Sequence, residues 1–360
     1  MDLIYIVASS ISIIIFLISL VNLLTAPELK KVFTKSSDLV SILIPARNEE
    51  KNIENCIKDC LNQTYQEIEI LVLNDNSTDL TEKVIKKFSD KVTLLSGEEV
   101  SSGWLGKNWA CHQLSQKANG NLLLFIDADV RLKPEAVGYA VTTMKMFDVK
   151  LLTIFPTQIM KSFSEYLIVP LMNWLLLSFL PLKLVHESKK KSFIAANGQF
   201  MLWDKDFYFS LGGHLSVKNK SVEDMEFARI VKLKKEKMIT LLGGNLVFCR
   251  MYSNLNEAIN GFSKNFYPGF RLNPTLFLSI FLIISISQLI PFFYWKDLTI
   301  SVSLIILNLM SRIFISIKSR QNIFLNFILH IFQMIIVMIE AVISVYRFHF
   351  GKLYWKGRKI

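Results

Sequence analysis

Apolar and polar positions follow three different patterns along this chain. From Leu3 to Leu24 there is no charged residue, and Ile, Leu, Val and Ser dominate. A helix rises about 1.5 Å per residue, so this stretch reaches roughly 33 Å, enough to cross a bilayer core. A cleaved signal peptide would need a basic start. The chain instead begins Met1-Asp2, and no small-x-small site stands out near Ala26. Residues 1–26 are therefore expected to form a membrane anchor.

The second pattern alternates short apolar runs with amphipathic stretches. Leu39 to Pro45, "LVSILIP", reads as a buried strand. The next segment, "ARNEEKNIENCIKDCLNQ", reads as a helix with Ile53, Ile57, Cys60 and Leu61 on one face and Asn48 as its cap. "EIEILVLND" is a second strand ending at Asp75. Thr78 is the expected cap of a helix bearing Val84, Ile85 and Phe88. Val92 to Leu95, a helix over Lys107 to Asn119 and a strand over Leu122 to Ile126 complete the series. Such alternation implies a mostly parallel sheet with helices on both faces, which binds ligands at the carboxyl ends of its strands.

The third pattern fills the C-terminal quarter. Thr275 to Trp295 and Leu298 to Ile317 are apolar spans separated by Lys296-Asp297. Ile323 to Tyr346 is a third, interrupted by His330 and Glu340. The expected organisation is thus an anchor over 1–26, a mixed α/β domain over 38–273, apolar helices over 274–347 and a basic tail over 348–360.

Charge adds an orientation. The chain carries a formal net charge of +11, but its basic residues cluster beside apolar segments, at Lys30, Lys31 and Lys35, at Lys189 to Lys191, and from Arg347 to Lys359. That is the pattern of a cytoplasmic membrane-facing surface, and no nucleic-acid motif accompanies it. The same rule puts the α/β domain in the cytoplasm of a multi-pass protein of the cell (plasma) membrane. Three full spans after it would leave the basic C-terminus outside, so one of the last segments is expected to re-enter or lie in the interface. The four cysteines, Cys56, Cys60, Cys111 and Cys249, form no metal-binding spacing and read as reduced thiols.

The candidate chemistry sits at the strand ends. "LLLFIDADV" runs five apolar residues into Asp127 and Asp129. Two carboxylates so close repel each other unless a cation joins them. A hard divalent ion such as Mg²⁺ or Mn²⁺ takes carboxylate and phosphate oxygens, and it would also neutralise a nucleotide diphosphate. Asp75 arrives at the same edge from another strand.

The set "SILIPARNEE", "LVLNDNSTD", "FIDADV" and "SVEDMEFAR" resembles, in order and spacing, the family 2 glycosyltransferases of GT-A fold, over about residues 40 to 235. Within that family "GWLGKNWACHQ", "ANGQFMLWDKDFYFSLGGH" and the terminal "WKGR" resemble the carotenoid-acid (diaponeurosporenoate) and hopanoid-associated membrane enzymes. The resemblance implies a nucleotide-diphospho-sugar transferase fold, with a Rossmann-like, mostly parallel sheet and transmembrane helices at both ends.

The resemblance also implies roles. Pro45, Arg47 and Glu49 belong to a nucleotide-binding loop and Asp75 to the base. Asp79 either ends that motif or caps a helix. Asp127 lies on the ribose and metal side and Asp129 is the metal ligand, with Mg²⁺ or Mn²⁺ as cofactor. Asp224 is the general base of an inverting transfer, although Ser221 and Asp224 also fit a plain capping box. Lys107 is expected at the diphosphate or at an acceptor carboxylate. Trp104, Gly198, Gly212, Gly213, His214, Glu223 and Lys264 are expected on the acceptor side. The Gln-x-x-Arg-Trp motif of processive polymer synthases is absent from the sequence, which favours single transfer from a nucleotide sugar, a UDP-sugar being preferred.

Glu165 to His186 is apolar and divided by Pro170 and Pro181. A simple crossing there would separate Asp129 from Asp224, so residues 165–186 are expected to lie in the headgroup layer and bring a membrane lipid acceptor to the site. Transfer to a polyprenyl phosphate, or a non-catalytic membrane scaffold on a transferase fold, are the alternatives.

Overall fold

A computed structural model describes residues 2–32, 36–351, 354–356 and 358–359. Lys35 of the first basic cluster and Gly357 of the terminal "WKGR" lie outside the described residues. A long apolar helix, α1 (Leu3–Thr25), opens the chain. The α/β region begins β1 (Val40–Ala46), α2 (Ile53–Leu61), β2 (Ile68–Asn74), α3 (Thr81–Lys86), β3 (Thr93–Ser96), α4 (Gly106–Lys117) and β4 (Leu122–Ile126). Next come β5 (Val130–Leu132), α5 (Ala136–Met146), β6 (Leu151–Phe155) and β7 (Thr157–Gln158). Three short helices follow, α6 (Phe163–Ile168), α7 (Pro170–Phe179) and α8 (Leu184–Glu187). The region closes with β8 (Phe200–Asp204), α9 (Lys205–Ser210), a 3₁₀ turn (Gly213–Val217), α10 (Glu223–Leu233), β9 (Met238–Leu242) and β10 (Val247–Cys249). The remainder is helical, α11 (Leu255–Phe270), α12 (Pro274–Phe293), α13 (Leu298–Lys318), α14 (Ile323–Ile328) and α15 (His330–His349). It ends in a small hairpin, β11 (Tyr354–Trp355) and β12 (Arg358–Lys359).

The main sheet has seven strands in the order β3-β2-β1-β4-β8-β6-β9. All neighbours are parallel except β8, which runs antiparallel to β4 and β6. The chain walks outward through β1, β2 and β3, then returns to lay β4 on the other side of β1. That reversal opens a crevice at the carboxyl ends of β1 and β4, the place where such sheets bind ligands. β8 pairs Phe200 with Ile126, so Gly198 and Gln199, just before it, meet the end of β4. The Asp127 amide donates to the Gln199 carbonyl at 3.2 Å.

Both faces of the sheet are covered, and its strands read as continuous apolar runs for that reason. Ile42, Ile44, Val72 and Leu124 face one layer with α2 and α5. Leu43, Leu73, Leu123, Phe125 and Trp203 face the other. That second core continues without a break into Trp174 of α7, Phe266 of α11, Phe277 and Phe281 of α12 and Met334 of α15.

Several expected starts and stops move. Asn48 caps no helix: it sits in the left-handed region (φ 52°), and α2 begins at Ile53. Its carboxamide oxygen instead accepts from the Thr78 amide at 2.9 Å. Thr78 likewise caps nothing, since α3 begins at Thr81. There Asp79 accepts from the Thr81 amide at 3.0 Å and from the Glu50 amide at 3.2 Å, clasping the loops after β1 and β2. Ser221 does not cap α10, which begins at Glu223 with no side-chain cap.

By length and composition α1, α12, α13 and α15 are long and apolar enough to cross a membrane. Exposed Leu3, Ile4, Ile14, Leu282, Ile283, Ile306 and Ile339 cover their outer faces. The third C-terminal stretch is broken into α14 and α15 at Leu329. α13 ends at the α/β region, where Lys318 and Arg320 pair with Glu28. α15 ends on α11, with Arg347 donating to Ser263 Oγ at 2.7 Å, and the hairpin after it returns to the α/β region, where the Lys356 carbonyl accepts from Arg47 Nε at 3.2 Å. The segment 165–186 runs through α6, α7 and α8, and α7 packs against α1.

Candidate active site

The first wall is made by the loops after β1 and β2. Arg47 follows β1 directly, and its Nη1 donates to the carbonyls of Asp75 at 2.7 Å and Asn76 at 2.9 Å. This holds the two loops at a fixed separation. Asp75 is buried at 4% exposure. Its Oδ2 takes Arg358 Nη1 at 2.5 Å, while Oδ1 has no partner. Burial pushes the Asp75 carboxyl up, and Arg358 and Arg47 pull it back only in part. A buried carboxylate oxygen without a donor marks a place where a ligand N–H or O–H is wanted.

The second wall is the turn between β4 and β5. Asp127 pairs with Lys107 Nζ at 2.8 Å. Lys107, in the first turn of α4, also reaches Glu223 Oε1 at 3.3 Å. Burial would lower the Lys107 ammonium, but Asp127 and Glu223 outweigh it and hold it well above the usual range. Asp129 Oδ1 has no partner. Burial first, then the charges of Asp127 and Glu49, push its carboxyl up to about 7. Repulsion between neighbouring acids of this kind is relieved by a proton or by a cation.

The third wall is the start of α10. Asp224 Oδ2 accepts from the Gly198 amide at 2.9 Å and Oδ1 from the Met225 amide at 2.7 Å. Burial and the neighbouring Glu223 still push its carboxyl up to about 7. Gly198 permits this closeness, because a Cβ there would lie 3.0 Å from Glu223 Oε1 and 3.3 Å from Lys107 Nζ. Lys264 of α11 reaches the same space, its ammonium lowered to about 8 by burial.

These walls enclose one cavity of about 660 Å³. Pro45, Arg47, Glu49, Asp75, Lys107, Asp127, Asp129, Gly198, Glu223, Asp224 and Lys264 all line it. Four of the expected residues, Trp104, Gly212, Gly213 and His214, do not line it. Trp104 is outside, packed edge-on against Trp109 and tilted against His112, and the cavity is lined instead by Leu105 and Gly106 just after it. His214 is buried in the core, bonded to the Tyr208 hydroxyl at 2.7 Å and packed by Phe125 and Phe227, where burial lowers it to about 3. Gly212 and Gly213 shape that same 3₁₀ turn at positive φ. Basic residues not expected here also line it: Lys191, Lys220, Arg229, and Lys356 and Arg358 of the C-terminal hairpin. The far end of the cavity is apolar, lined by Met172, Leu175, Leu176 and Phe179 of α7 and by Phe262, Phe266 and Phe270 of α11.

Among the described residues no three His, Cys, Asp or Glu side chains converge to hold a metal by themselves. Asp127 and Asp129 nonetheless fit a hard cation. Asp129 keeps an orphaned oxygen, the two repel, and Mg²⁺-type sites commonly use one or two carboxylates completed by substrate phosphates.

Comparison with known proteins agrees with this geometry. The family described as Glycosyl transferase family 2 matches residues 41–197. The chain is 25% identical over 243 residues to 4,4'-diaponeurosporenoate glycosyltransferase of Staphylococcus haemolyticus (strain JCSC1435), covering 67% of this chain and 64% of that protein. It is 27% identical over 233 residues to the protein of the same name from Staphylococcus aureus (strain USA300), covering 64% and 61%. The chain thus spans just under two thirds of those relatives' length. Among solved structures, mannosyltransferase PcManGT from Pyrobaculum calidifontis, in complex with GDP-Man and Mn²⁺, is similar in fold. The TM-score is 0.54 at 13% identity, over 96% of this chain and 98% of that one. By sequence, residues 41–197 match glycosyl transferase family 2, and the fold of the chain is similar to that of a glycosyltransferase of known structure.

Proposed function

We propose that this chain is an inverting glycosyltransferase that moves one sugar from a nucleotide diphosphate onto a lipid held in a membrane. The observation that carries this reading is the cavity with two unlike ends. Charged groups gather at the strand ends, and apolar side chains of α7 and α11 line the other half. Water-soluble acceptors have no use for the apolar half, whereas an amphipathic lipid fills both.

In this reading Asp75 accepts from the base, and Pro45, Arg47 and Glu49 shape its loop. Lys107 and the uncapped amino end of α4 face the diphosphate, since helix amino ends favour phosphate. Asp127 and Asp129 would hold Mg²⁺ or Mn²⁺, which when bound offsets charge on the leaving diphosphate. Asp224 takes the proton of the acceptor hydroxyl, and its raised pKa suits a base working near neutral pH. Glu223 and Gly198 flank it, and Lys264 draws an anionic or hydroxylic headgroup toward it.

The relatives named diaponeurosporenoate glycosyltransferase support a carotenoid-acid, hopanoid-type or other glycolipid acceptor, with a UDP-sugar favoured as donor. For the whole chain we propose an anchor over 1–26 and a catalytic domain over 38–273 facing the cytoplasm of a plasma-membrane protein. Residues 165–186 lie at the headgroups, apolar helices follow over 274–347, and 348–360 form a basic tail. The return of α13, and of the hairpin after α15, to the α/β region supports an even number of crossings after residue 273.

The test uses membranes containing the protein, Mn²⁺, host lipid extract and a panel of radiolabelled nucleotide sugars. Label from one donor entering the organic phase, and lost in Asp224→Asn, is the expected result. No label from any donor refutes the reading.

A further inference from the structure

The C-terminal hairpin lies 283 residues along the chain from the acid it touches. Arg358 Nη1 meets Asp75 Oδ2 at 2.5 Å, and Lys356 Nζ pairs with Glu49. Arg47 Nε donates to the Lys356 carbonyl at 3.2 Å, a third tie to the same loops. The Arg358 guanidinium sits between the end of β2 and the start of α4, since a Cβ on Gly106 would lie 2.6 Å from its Nη1. Both side chains therefore line the donor end of the cavity.

The charges there are informative. Among the described residues, Glu49, Asp75, Asp127 and Asp129 at the strand ends outnumber the adjacent Arg47 and Lys107, while Lys191, Lys220, Arg229 and Lys264 line other parts of the cavity. Such a surplus of acids repels an anionic donor. Lys356 and Arg358 remove the surplus, and a guanidinium is the group best matched to phosphate oxygens.

We propose that Lys356 and Arg358 bind the diphosphate of the donor, and that Glu49 and Asp75 hold them in position until it arrives. The C-terminal tail is then a working part of the donor site. This inference rests on the transferase reading above.

The test titrates the full-length chain in detergent with UDP and, separately, GDP, each with and without Mn²⁺, by calorimetry. The unmodified chain is compared with Lys356→Met, Arg358→Met, the double variant and Lys189→Met, which removes an exposed charge outside the cavity. The expected result is binding of at least one nucleotide, weakened by about tenfold or more in the double variant through loss of charge-assisted bonds. Lys189→Met leaves it unchanged. Arg358→Lys, which keeps the charge but not the fork, is expected to fall between. Equal or tighter binding in the double variant overturns the inference, tighter binding meaning that the tail only obstructs the site. A second readout covers loss of folding: bound UDP should slow tryptic cleavage after Lys356 and Arg358 in the unmodified chain, and faster cleavage overturns the inference. If the unmodified chain binds neither nucleotide, the donor reading itself fails, which is a distinguishable result.

Discussion

Asp224 is held by two backbone amides, yet its carboxyl titrates at about 7 against an ordinary 3.8. The fold thus favours the protonated acid, so stability falls as pH rises from about 4 to about 7. A general base must be ionised, so the rate falls as pH drops through about 7. Asp224→Asn removes both dependences. Turnover is expected to fall by ~10²–10⁴, while the variant's melting temperature gains on the parent's between pH 5 and pH 8. A gap that stays constant over that range would mean that Asp224 is not the raised acid. Asp129 has the same kind of shift, from burial first and then from its neighbours Asp127 and Glu49. A cation there competes with a proton. Mn²⁺ affinity in the presence of UDP, read by paramagnetic resonance, is therefore expected to weaken steadily below pH 7. A pH-independent affinity argues for ligands other than these two carboxylates.

Elements decide which half of the cavity does what. The amino end of α4, the turn after β4 and the first turn of α10 carry the charged groups, and α7 with α11 carries the apolar ones. Leu176→Lys puts an ammonium into the apolar half. It is expected to raise the acceptor KM severalfold or more while leaving UDP affinity intact. An equal loss of both would place Leu176 in general folding instead. The same division explains what was legible in the sequence. Continuous apolar runs ending in Asp75 and Asp127 revealed both the strands and the edge, because burial on both faces and a charge at the tip leave a pattern in consecutive residues. Loop directions leave none, so Trp104 and His214 looked like site residues and pack elsewhere. Asn48, Thr78 and Ser221 had the chemistry of helix caps, but Asn48 and Thr78 bond each other between two loops and α10 begins beyond Ser221. Lys356 and Arg358 were visible as a motif, yet pairing across some 300 residues is set by where α15 ends, which no local pattern records.

At the scale of the whole molecule, α1 is more than a tether. Asn22 is buried in it, with Nδ2 donating to the carbonyls of Leu177 at 2.9 Å and Leu180 at 2.8 Å, while Oδ1 accepts from the Leu182 amide at 2.8 Å. These bonds fix the end of α7 that borders the cavity. Asn22→Ala leaves three backbone groups without a partner, at an expected cost of about 2–3 kcal/mol, measured as thermal unfolding in detergent. Activity at 25 °C should drop less than stability does. A variant as stable as the parent would mean that α1 and α7 are not coupled.

The unbroken core that runs from the sheet through α7 and α11 into α12 and α15 bears on how this protein is handled at the bench. Residues 38–273 expressed alone would lose Phe277, Phe281, Met334 and Val337 from that core, and Phe262 and Phe266 would be left facing buffer. Such fragments clump and collect in inclusion bodies. A preparation meant for enzymology has to keep the flanking helices, along with the detergent or nanodisc they demand.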